Sequence, residues 1–180
     1  MKDSVYYSAR KTRKGSYFKS VKLLRNNFLR LLIDYVPLSS GFKVFLYRLM
    51  GVNIPDARSV FIGKGVVLDG VFPENITIEP NVMITQGAVI LTHFYDPSYE
   101  DHAFRVGKIT IQKGAFIGAG AYILCDGEIG VGAVVAAASV VTKSVSDFSI
   151  VAGMPAKVIG HRGSVSLGDM PELPEVLSNK

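Results

Sequence analysis

Ile111, Ile117, Ile123, Ile129, Val135 and Val141 stand six residues apart without a break, and no other feature of the chain restricts its fold so tightly. Four residues after each comes Ala115, Ala121, Gly127, Ala133, Ser139 or Val145, so the rule is aliphatic, then mostly small. An α-helix cannot hold this register, because six steps of 100° land far from the starting face. A flat strand would alternate every two residues. The geometry that answers the pattern is a coil turning a corner every six residues, three units to a triangular turn. The aliphatic side chain fills the interior and the small residue lets the chain turn tightly. Successive turns stack at strand spacing, about 4.8 Å, so that like positions form Ile/Val ladders.

The same rhythm runs earlier through Ile62 and Val66, through Ile78 and Val82, and through Ile84, Ala88 and Ile90, and about five turns fit between Ile54 and Ile159. Two phase slips interrupt it. Leu68 to Ile78 is four residues longer than one unit, and Ile90 to Ile111 is twenty-one residues, one full turn plus three. Each slip predicts a loop pushed out of the coil. The second, about 93–107, concentrates two histidines, three acids and four aromatics, and loops on rigid scaffolds are where chemistry usually sits.

Ahead of the coil, Val21, Leu24, Phe28, Leu31 and Tyr35 recur at helical steps and predict a helix over 17–35 with that stripe as its apolar face. Pro37 ends it. Ser39 or Ser40 caps a second helix, with Phe42, Phe45, Leu46 and Leu49 as its stripe and Gly51 as its stop. The division that follows is a basic tail at 1–16, a helical hairpin at 17–51, the coil at 52–162 with its loop at about 93–107, and a loose tail at 163–180.

The net charge of +5 is concentrated at the start, where Lys2, Arg10, Lys11, Arg13, Lys14, Lys19, Lys22, Arg25 and Arg30 face only Asp3. Such a run meets solvent or anionic lipid. Without aromatics interleaved for base stacking it does not point to nucleic acid. The apolar region from Leu23 to Met50 is broken by five charges, so no spanning helix is expected. The lone Cys125 forms no internal disulfide, and no signal-peptide pattern opens the chain, which fits a reducing cytoplasm.

The hexads IGKGVV, IEPNVM, ITQGAV, IGAGAY and IGVGAV, followed by SVVTKSVSDFSIVAGMPAKVI, resemble the hexapeptide-repeat acyltransferases, in particular the branch that acetylates sugars, xenobiotics and cell-surface polysaccharides. The resemblance covers about Val52 to Arg162. It implies a left-handed parallel β-helix, a homotrimer, and acetyl-CoA as acyl donor with no metal required. The leader running into LMGVNI resembles that of enzymes modifying exported glycans, so a carbohydrate hydroxyl is the expected acceptor. A small sugar or an antibiotic is the alternative.

Acetyl transfer to a hydroxyl needs a base, donors for the oxyanion and a slot for the thioester. His93, just after ILT at the mouth of the loop, has a side chain that titrates near neutrality and matches the family's catalytic histidine. Its other ring nitrogen requires an acceptor, for which Asp96, Glu100, Asp101 or a backbone carbonyl are candidates, while His102 reads as a solvated loop residue. By the same resemblance, Ala119 matches a position near the thioester, where only its backbone N–H can donate. Ala137 matches a pantetheine contact, and Thr142 and Lys143 match positions near the adenosine phosphates. Lys157, with Arg162, adds cationic charge at that end. A γ-class carbonic anhydrase shares this coil and holds zinc with three histidines, but of His93, His102 and His161 the last lies beyond the coil. A non-catalytic β-helix scaffold is the remaining rival.

Overall fold

Each short hexad strand pairs with the strand one coil away, and the computed structural model describes this arrangement over residues 5–8, 21–96, 103–124 and 126–163. The chain opens with β1 (Val5–Ser8), α1 (Val21–Tyr35) and α2 (Ser40–Met50). The first coil carries β2 (Phe61–Ile62) and β3 (Val67–Leu68). The second carries β4 (Ile76–Ile78), β5 (Met83–Ile84) and β6 (Val89–Ile90). A hairpin of β7 (His93–Asp96) and β8 (Ala103–Val106) leaves the coil there. The third coil has β9 (Ile109–Ile111), β10 (Phe116–Ile117) and β11 (Tyr122–Ile123), and the fourth has β12 (Gly127–Ile129), β13 (Val134–Val135) and β14 (Val140–Val141). The final pair is β15 (Ser149–Gly153) and β16 (Ala156–His161).

These strands make three parallel walls. One is β4, β9 and β12. The second is β2, β5, β10, β13 and β15, with β16 added antiparallel. The third is β3, β6, β11 and β14. Register is the expected one: Ile62, Ile84, Ile117, Val135 and Val151 align in the second wall, and Leu68, Ile90, Ile123 and Val141 in the third. All are buried and form one continuous core. At the corner between these walls the pattern's small residues Ala88, Ala121 and Ser139 are buried, and the residue before each turns the chain. That left-handed position is Gly65, Gly87 and Gly120 in successive coils and then Ala138, at φ +55, a backbone conformation that costs a residue with a Cβ about 1 kcal/mol.

Both phase slips are extrusions. The first holds Asp69 to Phe72 and a 3-10 turn at Pro73–Asn75. The second, expected as a loop, is a β-hairpin. β8 pairs antiparallel with β7 and also with β1, so a strand lies within the segment expected as a basic tail.

The helices turn their predicted stripes outward. Ser39 caps α2 and Gly51 stops it, as the sequence indicates. The apolar stripes, however, do not face the coil: Leu24, Phe28, Leu31 and Tyr35 are exposed, as are Phe42, Phe45 and Leu49. Of the residues placed in those stripes, Leu46 is buried, and nothing is described of the Val21 side chain. The inner faces instead carry polar groups that satisfy the unpaired backbone edge of the first coil. Ser40 Oγ accepts from Ile62 N–H at 2.8 Å, Lys43 Nζ donates to Gly63 C=O at 3.1 Å, and Tyr47 Oη donates to Val66 C=O at 2.7 Å. Arg30 and Asn26 reach Leu68 C=O and Gly70 C=O at 3.2 and 3.3 Å. An open edge is a template for unwanted pairing, and the hairpin covers it while Leu29, Ile33, Val44 and Met50 pack on the coil. Among the described residues no helix is long and apolar enough to cross a membrane.

Candidate active site

The corner that follows β3 and β6 brings the two extrusions together. Leu68 is in register with Ile90, so the residues leaving the coil after each are neighbours although far apart in sequence. Asp69, in the first extrusion, has no exposed side-chain surface and accepts from five donors. Its Oδ1 takes the N–H groups of Val71 and Phe72 at 2.8 and 3.2 Å. Its Oδ2 takes Thr92 N–H at 3.0 Å, Thr92 Oγ1 at 2.7 Å and His93 Nδ1 at 2.6 Å. The orienting acceptor of His93 is therefore Asp69. Asp96 closes β7 at the other end of that strand, and Glu100, Asp101 and His102 lie outside the described residues.

The pair tunes itself. Burial pushes the Asp69 carboxyl up, but the hydrogen bonds from His93 and Thr92, the His93 charge and the Val71 N–H outweigh it and lower its pKa to about 2. For His93 the hydrogen bond to Asp69 dominates and raises the pKa above 6.5, against the opposing effect of burial. A carboxylate at Nδ1 assigns the neutral ring's proton to that nitrogen and makes Nε2 the basic one. The Phe72 ring meets His93 edge-on at 5.6 Å and fixes its plane further, and 28% of the His93 side chain is exposed. The result is an oriented imidazole base at the surface, backed by a buried carboxylate.

The remaining expected positions fall on two corners. Thr142 and Lys143 follow Val141 as Leu91 and Thr92 follow Ile90, so they lie on the His93 corner, two coils further on, about 10 Å along the axis at strand spacing. Both are exposed. Ala119 and Ala137 lie on a different corner, between the second and third walls, and stack on each other: the Ala138 N–H donates to Ala119 C=O at 2.8 Å. They too are exposed. Lys157 is exposed on β16 beside Ala152. One chain thus unites Asp69 with His93 and Ala119 with Ala137, but sets these two pairs on separate corners. His161 ends β16, and among the described residues no three His, Cys, Asp or Glu side chains gather as a metal site.

Asp69 and Thr92 are the partners around His93 that sequence reasoning missed. The available signal was the first phase slip, which begins at LDG directly after a core leucine.

A parallel triangular coil of hexads, with an aspartate–histidine pair at one corner, defines a hexapeptide-repeat protein. No family model matches the chain. Comparison with individual proteins places it: it is 33% identical over 139 residues to the "Putative acetyltransferase YvoF" of Bacillus subtilis, covering 77% of each. The chain belongs to the hexapeptide-repeat acetyltransferase family. A serine acetyltransferase of Buchnera aphidicola is 38% identical over 110 residues, which is 59% of this chain and 38% of that protein. Among solved structures, the hexapeptide-repeat acetyltransferase VCA0836 of Vibrio cholerae, in complex with acetyl-CoA, superposes with a TM-score of 0.61 at 22% identity, covering 88% of this chain and 100% of that one. A galactoside acetyltransferase in complex with coenzyme A gives 0.58 at 18% identity, covering 87% and 92%. The fold is accordingly the left-handed β-helix.

Proposed function

We propose that the chain transfers an acetyl group from acetyl-CoA to a hydroxyl of a carbohydrate. The observation that carries this reading is the Asp69–His93 pair, a partly exposed base with its tautomer fixed. His93 Nε2 removes the hydroxyl proton as the oxygen attacks the thioester carbonyl. The Ala119 N–H stabilises the developing oxyanion. His93 then returns its proton to the departing sulfur as the C–S bond breaks, leaving the acetyl ester and free CoA. Asp69 holds the ring and balances the imidazolium between the two transfers. Ala137 contacts the pantetheine arm through its backbone, and Thr142, Lys143 and Lys157 receive the anionic nucleotide end.

Because His93 and the Ala119–Ala137 column occupy different corners, a complete site needs two chains, and the assembly we assign is a homotrimer. The outer surface of the coil supports it. Phe61, Met83, Phe116, Val134 and Ile150 form an apolar ladder outside the second wall, beside Val67, Val89, Tyr122 and Val140 on the third, whereas the first wall shows Thr77, Thr110 and Glu128. Two adjacent apolar walls and one polar wall suit closed cyclic packing. The acceptor class is a sugar of a surface polysaccharide precursor, met on the cytoplasmic side of a membrane.

The test is incubation with labelled acetyl-CoA and a panel of lipid-linked sugars, nucleotide sugars, free saccharides, aminoglycosides and serine. Label on a saccharide hydroxyl supports the reading, and label confined to serine or to an amine overturns it. Mixing His93→Ala chains with chains blocked at Ala119 and Ala137 should restore part of the activity, and an active monomer would exclude the shared site.

A further inference from the structure

The two helices pack Leu29, Ile33, Val44, Leu46 and Met50 on the coil together with the polar groups that bond its edge, and each leaves a second apolar side outward. Leu24, Phe28, Leu31 and Tyr35 on α1 are 73, 61, 56 and 81% exposed. On α2, Phe42 and Phe45 are 48 and 55% exposed, with ring centroids 5.9 Å apart. Both inner faces hydrogen-bond the same edge of the first coil, so both exposed apolar faces point away from it. Large exposed side chains grouped in this way mark a contact site rather than ordinary surface. They cannot be core, since the core lies beneath the opposite faces.

Charge selects the occupant. Within residues 1–22, leading directly into α1, seven lysines and arginines stand against one acid, Asp3. An anionic lipid surface complements both features: the aromatic and aliphatic side chains enter the acyl boundary and the cations meet the headgroups. We infer that the outer face of the α1–α2 hairpin docks the enzyme on an anionic bilayer, peripherally and without a spanning segment. The inference rests on the proposed membrane-side acceptor for its purpose, but its geometry stands apart from the chemistry at His93. The hairpin lies on the end of the coil where Asp69 leaves it, with Asn26 bonded to Gly70 C=O, so a docked bilayer would lie near the Asp69–His93 corner.

The experiment is sedimentation of the full chain with phosphatidylcholine vesicles, with and without about one third phosphatidylglycerol. Most of the protein should pellet with anionic vesicles at low salt and be released at high salt, and neutral vesicles should leave it in the supernatant. Phe28→Glu and, separately, Phe45→Glu should each lower the bound fraction at least tenfold while leaving circular dichroism and CoA binding unchanged. Wild-type protein that stays in solution with anionic vesicles at low salt overturns the proposal, as does undiminished binding by both variants. If light scattering instead shows that Phe28→Glu reduces the assembly mass while wild type ignores vesicles, the face joins copies of the chain and the lipid proposal fails. None of these readouts measures acetyl transfer, so the docking surface and the reaction fail or stand separately.

Discussion

Asp69 and His93 are separated by 24 residues of sequence and by 2.6 Å in space, joined because the residues after Leu68 and Ile90 leave the coil at the same corner. The hydrogen bond fixes which imidazole nitrogen is basic and raises the pKa of the ring above 6.5. In the proposed mechanism neutral His93 is the base, so kcat/KM should rise with pH through an acid limb placed above 6.5. Asp69→Asn removes the charge that favours the imidazolium, and the limb should move to lower pH while turnover at the optimum falls by about two powers of ten or more. A pH–rate profile of the variant decides it. An unmoved limb would reduce Asp69 to a structural clamp for the Val71 and Thr92 backbone.

Replacing His93 itself removes the proton transfer and nothing else in the binding surface. His93→Ala should lower kcat by about two to four powers of ten with CoA affinity nearly unchanged. Single-turnover kinetics together with calorimetric titration of CoA give both quantities. Near-normal turnover would take His93 out of the mechanism.

The same pair makes stability depend on pH from both sides. The Asp69 pKa is depressed from 3.8 to about 2, so its contribution is present above 3.8 and is lost as the pH falls towards 2. His93, raised from 6.5, contributes fully below 6.5 and loses that contribution as the pH rises through its folded value. The difference in unfolding free energy between wild type and Asp69→Asn should therefore peak near pH 5, at about 2 kcal/mol for a shift of this size, and shrink at pH 3 and pH 9. Urea melts at the three pH values measure it, and a flat difference would mean that the two groups are not coupled.

The coil was legible because its physics is one-dimensional: a six-residue period in Ile111 to Val141 dictates which residues stack, and the ladders follow. His93 was legible for the same reason, as the residue at the mouth of a phase slip. Asp69 was not, because the contact requires knowing that Leu68 stacks on Ile90 across twenty-two residues that include an extrusion. Each helix carries two apolar sides, and periodicity alone does not rank them: Leu29, Ile33, Val44, Leu46 and Met50 pack on the coil, where Ser40, Lys43, Tyr47 and Arg30 also satisfy its backbone edge, while Leu24, Phe28 and Leu31 and Phe42 and Phe45 lie outward. The segment about 93–107 reads as a loop in sequence because its two strands are only four residues long and carry no hexad.

Gly118 tests how the corner is held. A Cβ there would lie 2.5 Å from Ala137 N and 2.7 Å from Ala136 C and Val135 O, all backbone atoms of the next coil. No rotamer relieves such a contact, so Gly118→Ala must push the two coils apart. We expect a loss of about 1–3 kcal/mol of stability and a raised KM for acetyl-CoA, since Ala119 and Ala137 sit on the displaced backbone. Thermal melts and initial rates read the two effects. A variant with normal stability would show that the corner is looser than its contacts indicate.

Lys143 is exposed on the His93 corner two coils beyond the base. An extended coenzyme that places its thioester at His93 and runs along the axis would bring its phosphates towards that end. An ammonium group there is a point charge whose partner must be anionic. Lys143→Ala should therefore weaken CoA by about tenfold, the usual size of a lost charge-assisted hydrogen bond, and weaken a dephosphorylated analogue much less. Turnover at saturating acetyl-CoA should stay near wild type, because the contact is made equally in the ground and transition states. Calorimetric titration of both ligands into both proteins closes the cycle. Equal losses for the two ligands would return Lys143 to the solvated surface and leave the phosphates to Lys157 and its neighbours on β16.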